Sequence, residues 1–325
     1  MGWLWYRSNL HLCLHLCGDG PRCMNDSDYS VERRLHNYDW TKSTAENYQC
    51  SDCNFIGEFK HLRKSLDHNF HVRYNFERQL FQDRVVNYYI GLKSAWNRPA
   101  WNNASKYRTT VMKQQDPEQA HMPSNLRDPQ NPPFVLFTAG AMGAGKSHTL
   151  RWLAETTEFP LQAAVFVDID RIREHFPEMD EYRRRWAPTC GTLTHKEAGY
   201  ISELIWSAAL ENGQDVIIDS SLRDLSWWTS VINDVRQNHS SYSIGLLQVV
   251  ADTMTIFQRQ HQRAQSTGRM VPFSTMMDSI RQTPISVRAL RPKVNFFLRY
   301  DLNGRSPKLL VRETQGKENV HVSKL

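Results

Sequence analysis

The feature that most constrains this chain is a glycine-rich segment that follows a short apolar run. The run is Phe134 to Phe137, and the segment reads Gly140-Ala141-Met142-Gly143-Ala144-Gly145-Lys146-Ser147, followed by His148. It satisfies the pattern G-x-x-x-x-G-K-[ST] in full. A loop of this kind joins a buried strand to a helix, and its backbone N–H groups surround phosphate oxygens at the positive end of that helix. Residues 140–148 therefore predict a nucleotide phosphate site.

Two side chains of the segment have predicted roles. We expect Lys146 to reach the terminal phosphates of a nucleotide. The hydroxyl of Ser147 is expected to ligate Mg²⁺, which prefers oxygen ligands. The alternative, a glycine-rich turn with a chance Lys-Ser pair, does not explain why an apolar strand precedes the segment and a helical pattern follows it.

The chain from residue 134 onward alternates apolar strand patterns with helical patterns. Strands are predicted at 134–137, 163–167, 216–218, 243–250 and 294–300, and helices at 195–211, 225–237 and 253–265. This alternation predicts an α/β fold, with a parallel sheet covered by helices on both faces. Ligands of such sheets bind beyond the carboxyl ends of the strands, so the polar residues that follow each strand are the functional candidates.

The remainder of the chain is predicted to flank this domain. Residues 1–58 show no sustained period and are expected to be a poorly ordered or surface-lying extension. Residues 59–133 are expected to hold a helical segment and a polar connection, 134–305 the α/β domain, and 306–325 a C-terminal tail. Apolar residues from Phe76 to Ile90 recur at helical spacing, and the charged residues between them, such as Arg78 and Asp83, are expected to form a solvated face.

Five of the six cysteines lie in the first sixth of the chain. Cys50 and Cys53 form a CxxC pair, and His61, His68 and His71 follow them. The gap from Cys53 to His68 is too long, and that from His68 to His71 too short, for a Cys₂His₂ zinc finger. Reduced thiols without a function are therefore expected, as is usual in the cytosol.

Charge and hydropathy bound the partners of the protein. The net charge of +6 over 325 residues suits an enzyme of anionic substrates. The charge is dispersed, so it does not predict a channel for nucleic acid. No apolar run is long enough to cross a membrane, and Arg7 and Asn9 interrupt the apolar opening segment. A cytoplasmic protein without membrane association is expected.

Three carboxylates follow predicted strands. Asp168 and Asp170 alternate along one strand end and should point in opposite directions, so that one faces the phosphate site. A carboxylate there can accept the proton of a substrate hydroxyl during phosphoryl transfer. The alternative role for Asp170 is the N-cap of a helix over 171–176. Asp219 is expected to support magnesium, and its alternative role is that of a turn residue.

Three arginines lie in or just after the predicted helix 253–265. Arg259 and Arg263 are four residues apart, and Arg269 lies in a glycine-containing loop. Together they are typical of a lid that closes over phosphates. The alternative is a solvated basic face.

The segment from 134 to about 300 resembles the zeta-toxin family of P-loop kinases, in the eukaryotic form with an N-terminal extension. The likeness rests on the phosphate loop, on Asp168-Ile169-Asp170-Arg171-Ile172-Arg173 with Pro177 downstream, and on Arg269 in a G-R-x-V-P element. The resemblance implies Asp170 as the catalytic base and Arg263 and Arg269 as the lid arginines. It also implies a set of substrate-binding residues, namely Glu203, Asp219, Ser221 and Arg223.

Two features differ from the family pattern. Asp219 stands where glutamate is usual, and the segment 181–194, with Trp186 and Cys190, has no clear counterpart in bacterial members. Those members phosphorylate a UDP-linked amino sugar. The resemblance therefore implies a kinase that uses ATP or GTP with Mg²⁺ and phosphorylates a hydroxyl of a small molecule, such as a sugar nucleotide.

Two alternative functions stay open at this point. A polynucleotide 5′-hydroxyl kinase shares the architecture, but it needs a basic channel for the strand. A nucleotide-binding regulatory module without catalysis would not need Asp170, Lys146 and both lid arginines. The sequence indicates neither the acceptor nor whether a protein inhibitor exists.

Overall fold

The described part of the chain forms one large α/β unit. A computed structural model describes residues 38–91, 132–157, 161–267 and 271–315. The chain divides into a short unit, Met1–Trp40, and a large unit, Thr41–Leu325, to which every element below belongs. In the short unit, the described rings of Tyr38 and Trp40 lie 4.7 Å apart.

A six-stranded sheet lies at the centre of the large unit. Its strands follow one another in space in the order β2-β3-β1-β4-β5-β6. Strands β1 to β5 run parallel, as predicted, and β6 pairs with β5 in the antiparallel sense. The strands are β1 Phe134–Ala139, β2 Val165–Asp168, β3 Val216–Asp219, β4 Ser243–Val250, β5 Phe296–Asp301 and β6 Lys308–Thr314.

Eleven α-helices lie within the described residues. Three precede the sheet, and the other eight follow the phosphate loop. They are α1 Thr44–Tyr48, α2 Lys60–Ser65, α3 Phe76–Ile90, α4 Lys146–Thr156, α5 Ile169–Arg173, α6 Met179–Trp186, α7 Cys190–Leu193, α8 His195–Glu211, α9 Leu225–Asn238, α10 Thr253–Thr267 and α11 Phe273–Leu290.

The sheet buries both of its faces, which is why its strands read as continuous apolar runs. All six residues of β1 are buried. Alternate residues of the strands, beginning with Phe134 and Leu136, form one cluster with Leu150 and Leu153 of α4. On the opposite face the ring of Phe137 contacts Trp228 of α9, at 5.6 Å between centroids. Helices therefore cover both faces, as the alternation of patterns predicts.

Several elements differ from the prediction. Strand β6 lies in the expected C-terminal tail, where exposed residues on an edge strand weaken the apolar pattern. Helix α11 was not predicted, and it contains Pro284. The segment 181–194 holds the end of α6 and all of α7, and residue 163 belongs to a short 3₁₀ turn before β2.

The segment that precedes the sheet packs tightly onto the α/β core. Helix α3 lies against α8, which in turn packs against α5 and β2. Arg78, Gln82 and Asp83 of α3 are buried rather than solvated, which corrects the expectation for its charged face. The sequence pattern gave a wrong expectation because a helix packed between two layers also buries polar residues when they have hydrogen-bond or ionic partners.

The cysteine prediction was also wrong in part. Cys50 and Cys53 form a disulfide, with their Cα atoms 5.5 Å apart, because the tight turn between them brings the two side chains together. Cys190 is a free, buried thiol. The other cysteines lie outside the described residues. Within those residues, no group of three or more His, Cys, Asp or Glu side chains is placed to hold a metal ion. Among the described helices, none is both long and apolar enough to cross a membrane.

Candidate active site

The phosphate loop connects the end of β1 to the start of α4. Gly143 and Gly145 adopt left-handed backbone angles, with φ of 93° and 98°. Glycine is needed at Gly145 for space as well, since a Cβ atom there would lie 2.1 Å from Cδ2 of Leu302. The Ala144 N–H donates to the carbonyl of Ala141 at 3.0 Å, which tightens the turn. Helix α4 then begins at Lys146, so its positive end opens into the loop, as predicted.

Lys146 spans the loop and faces the carboxylate of Asp219. Its Nζ donates to the carbonyl of Gly140 at 3.2 Å and lies 4.0 Å from Oδ1 of Asp219. The hydroxyl of Thr138 donates to the same Oδ1 at 2.7 Å, and the Ser220 N–H donates to Thr138 Oγ1 at 2.9 Å. Thr138 therefore orients Asp219. It is the single hydroxyl side chain in an otherwise apolar strand, a signal that the sequence analysis did not use.

Asp168 and Asp219 end neighbouring parallel strands in the same register. The pKa of Asp168 is raised from 3.8 to about 6, first by burial and then by the carboxylates of Asp170 and Asp219. Asp168 caps α5, because its Oδ1 accepts from the Asp170 N–H at 2.8 Å. The predicted alternation of Asp168 and Asp170 was wrong: the strand ends at Asp168 and a helix starts at once. Asp168, not Asp170, is the N-cap.

Asp170 lies between two guanidinium groups. Nη2 of Arg263, on α10, donates to its Oδ2 at 2.7 Å. Nη1 of Arg173, a nearly fully buried side chain, lies 3.3 Å from its Oδ1. The sequence places Arg263 far from Asp170 along the chain, and the fold brings them together at the carboxyl edge of the sheet. Two guanidinium groups therefore contact this one carboxylate, each at a different oxygen.

The other lid arginines have different positions. Arg259 donates from Nη2 to the carbonyl of Leu302 at 2.7 Å and from Nη1 to the carbonyl of Ala144 at 3.3 Å. It thus ties α10 to the phosphate loop, a contact that spacing alone does not reveal. Arg269 and Gly268 lie outside the described residues.

The segment after β3 carries Ser221 and Arg223 beside the phosphate loop. The Gly140 N–H donates to the Ser221 carbonyl at 3.4 Å. Two hydroxyls of α11 hold this segment: Thr283 donates to the Ser221 carbonyl at 2.7 Å, and Ser286 to the Arg223 carbonyl at 3.2 Å. Leu222 between them is buried with φ of 57°, a left-handed conformation that costs free energy for a side chain of this kind.

Glu203, on α8, binds a residue from the segment that precedes the sheet. Oε1 of Glu203 lies 2.9 Å from Nε2 of His71. The side chain of His71 is 1% exposed and that of Glu203 is 15% exposed. Nothing in the sequence pairs His71 with Glu203, because the two are 132 residues apart.

A buried ionic cluster connects α3 to α8 and to the start of α6. Arg78 donates to both oxygens of Glu178, at 3.1 and 3.2 Å, and to both oxygens of Glu197, at 2.6 and 3.0 Å. The hydroxyl of Tyr48 donates to Glu178, and Gln82 donates to Glu197 at 3.0 Å. Burial lowers the pKa of Arg78, but the two carboxylates prevail and hold it above its usual value. The cluster joins α1 and α3 to the α/β core.

The fold and the site together define a P-loop kinase fold: a mostly parallel sheet, a phosphate loop after its central strand, and carboxylates at the ends of two adjoining strands. A family model described as zeta toxin matches residues 119–302, which is more than half of the chain. The chain therefore belongs to the zeta toxin family, a family of P-loop kinases.

Solved structures similar to the chain share little sequence with it. A chain from the PezAT chromosomal toxin-antitoxin system of Streptococcus pneumoniae is 16% identical, with a TM-score of 0.47; the match covers 59% of this chain and 76% of that one. A chain of the AvrRxo1-ORF1:AvrRxo1-ORF2 complex with ATP is 10% identical, with a TM-score of 0.47, over 87% of this chain and 80% of that one. No curated protein matches the chain.

Proposed function

We propose that the protein is a kinase that transfers the γ-phosphoryl group of ATP, or GTP, to a hydroxyl of a small molecule. The observation that carries the proposal is the convergence at one sheet edge of the phosphate loop, Lys146, and Asp170 in contact with Arg263. Phosphoryl transfer needs a cradle and a cation for the phosphates, a base for the acceptor, and further positive charge. Each of these lies at this edge.

The proposed reaction gives each of these side chains a role. Asp170 accepts the proton of the acceptor hydroxyl, and the acceptor oxygen forms a bond to the γ-phosphorus. The bond from that phosphorus to the oxygen bridging the β and γ phosphates breaks, and the nucleoside diphosphate leaves. Lys146 and the loop N–H groups hold the β and γ phosphates. Arg263, already beside Asp170, stabilises charge on the transferred group, and Arg269 is proposed to do so from the lid.

The site suits Mg²⁺ as a partner of the nucleotide. The residues here offer oxygen atoms, from the Ser147 hydroxyl and the Asp219 carboxylate, which are the ligands that Mg²⁺ prefers. The Thr138 hydroxyl and Lys146 both approach Asp219 and would orient its carboxylate for a bound Mg²⁺. Mg²⁺ commonly takes only one or two protein oxygens, together with phosphate and water. When bound, it would neutralise phosphate charge.

The acceptor is proposed to lie near Glu203, Asp219, Ser221 and Arg223. Support comes from the anchored segment 221–223, which starts beside the phosphate loop. A sugar nucleotide is the acceptor class that we propose, since hydroxyls and phosphates suit carboxylate and arginine partners.

Localisation in the cytoplasm remains a proposal, as does the absence of a role at membranes or on nucleic acid. Disulfides are rare in that compartment, and the Cys50–Cys53 pair would be an exception there.

A labelling experiment tests the proposed function. The protein would be incubated with γ-labelled ATP, Mg²⁺ and a metabolite extract, and labelled products would be separated and identified. We expect a labelled small molecule with the wild type and none with Lys146→Ala. Calorimetry on the same pair should show that the variant binds magnesium-ATP more weakly, because the terminal phosphates lose their nearest cation. Equal affinities would contradict the assignment of the loop. A wild type that binds ATP without transferring it would favour the regulatory alternative.

A further inference from the structure

A buried side-chain amide lies against the phosphate loop. Gln260, on α10, is 8% exposed. Its Nε2 atom is buried and has no hydrogen-bond partner within the described residues. Buried polar groups in folded proteins are nearly always paired, and leaving a donor unpaired costs stability. The amide is therefore a candidate donor for a partner that binds beside the loop.

The position of the amide points to the nature of that partner. A Cβ atom at Gly143 would lie 3.1 Å from Cγ and 3.2 Å from Nε2 of Gln260, and 2.8 Å from the carbonyl oxygen of Ile256. One turn of α10 therefore packs directly on the loop residue Gly143. The loop N–H groups are the donors that surround phosphate oxygens. Nε2 of Gln260 is a further N–H donor beside them.

The neighbours of Gln260 on α10 place this residue beside the site. Arg259, the residue before it, holds the carbonyl of Ala144, and Arg263, three residues after it, reaches Asp170. Residues three apart on a helix share a face. Gln260 thus lies between a contact with the phosphate loop and a contact with the proposed base.

We propose that Gln260 is a nucleotide-binding residue whose side-chain amide donates a hydrogen bond to an oxygen of the terminal phosphates. The inference rests on the proposed function, since it takes the loop to bind a nucleotide. A phosphate oxygen is a charged acceptor, and hydrogen bonds to charged acceptors are the stronger ones. Through this hydrogen bond, a bound nucleotide would also be linked to α10, the helix that carries Arg263.

The test replaces the amide by an apolar side chain of similar length. Gln260→Met should weaken magnesium-ATP binding by about 10-fold in calorimetry, the usual scale for one hydrogen bond to a charged group. It should weaken inorganic tripolyphosphate, measured by competition, by a similar factor. The melting temperature of the ligand-free variant should equal or exceed that of the wild type, because an unpaired buried donor is removed.

Gln262→Met is the matched control, because Gln262 lies exposed on the same helix. It should leave both affinities unchanged. Gln260→Asn, which withdraws the amide by one methylene, should lose ATP affinity without adding apolar surface.

Three results would overturn the inference. The first is equal ATP affinity for the wild type and both Gln260 variants. The second is a weaker affinity for ATP with an unchanged affinity for tripolyphosphate, which would mean that Gln260 contacts the nucleoside instead. The third is a lower melting temperature of the ligand-free Gln260→Met protein, or its failure to fold, which would make the role structural. A wild type that binds neither ATP nor tripolyphosphate contradicts the proposed function itself.

Discussion

At the scale of single residues, the proposed site centres on Asp170 and its neighbours Asp168 and Arg263. The family pattern assigns the base to the second aspartate of the motif, Asp170. In the structure, Arg263 of α10 and the buried Arg173 both contact the carboxylate of Asp170. Asp168 instead caps α5, and its pKa is raised to about 6, mainly by burial. Their different surroundings predict different effects when each is changed to asparagine.

Asp170→Asn should separate chemistry from binding. The amide keeps the size and shape of the side chain but removes the proton acceptor, so the transfer rate should fall by about 10²-fold or more. ATP affinity measured by calorimetry should persist, since the phosphate loop is unchanged. If Asp170→Asn stayed active while Asp168→Asn lost transfer, the roles of the two aspartates would have to be exchanged.

Asp168→Asn should stabilise the ligand-free protein near neutral pH. The pKa of Asp168 in the folded state is about 6, against 3.8 ordinarily, so the folded protein binds the extra proton between these values. The contribution of Asp168 to the free energy of unfolding is therefore fully present below about pH 4 and is lost as the pH rises to about 6. The asparagine keeps the cap without the charge, and at pH 7 it should raise the free energy of unfolding by up to about 3 kcal/mol.

Denaturant unfolding between pH 4 and pH 7 measures this difference. The wild type and Asp168→Asn should differ little at pH 4 and diverge as the pH rises. A variant that is less stable than the wild type at every pH would show that the negative charge of Asp168 stabilises the fold, contrary to this prediction.

At the scale of elements, α10 connects the phosphate loop to the base. Its two arginines in the described part have distinct partners: backbone carbonyls for Arg259 and the Asp170 carboxylate for Arg263. Arg259 has no counterpart in the family pattern. Its contacts nevertheless tie α10 to the phosphate loop at Ala144 and to Leu302, the residue after β5.

Arg259→Ala and Arg263→Ala should therefore fail in different ways. Arg259→Ala should lower the free energy of unfolding by about 1–3 kcal/mol, since two charged hydrogen bonds to backbone are lost. Arg263→Ala should leave stability nearly unchanged and lower kcat by about 10²-fold or more, because its charge acts on the transferred group. Thermal unfolding and initial rates on both variants make the comparison; the reverse pattern would contradict the assignment. Arg269→Ala remains predicted to lower kcat by about 10²- to 10³-fold.

At the scale of the whole molecule, the segment before the sheet is part of the α/β unit. Arg78 on α3 holds Glu178 and Glu197 of the core, and Tyr48 on α1 reaches Glu178. His71 of the same segment binds Glu203. Unfolding of this segment would leave two carboxylates buried without their cation, so the segment and the core should unfold together.

Arg78→Met tests that coupling. Removing one partner of a buried ion pair leaves an uncompensated charge, and the expected loss is about 3–5 kcal/mol in the free energy of unfolding. Lys64→Met, at an exposed position of α2 in the same segment, is the control and should change stability by no more than about 0.5 kcal/mol. Two separate unfolding transitions, with only the first moved by Arg78→Met, would show that the segment folds independently.

The sequence by itself determined what depends on local pattern. Residues 140–147 specify the phosphate loop, because positive backbone angles at Gly143 and Gly145 and the start of α4 at Lys146 are set by neighbours in the chain. The five parallel strands were likewise predictable, since a strand buried on both faces is a continuous apolar run. Strand β6 was not, because an exposed edge strand lacks that run.

Only the tertiary structure decided which charges meet. Arg263 and Asp170 are 93 residues apart, Arg78 and Glu197 are 119 apart, and His71 and Glu203 are 132 apart. No local spacing in the sequence predicts such pairs. A charged residue in a helical pattern is predicted to face solvent unless the layer that packs on it is known. The same reason explains Arg259 and Gln260, whose partner surface, the phosphate loop, lies more than 100 residues earlier in the chain. Contacts between packed layers gave these polar residues their structural or candidate binding roles, and such contacts are a property of the tertiary fold rather than of the sequence pattern.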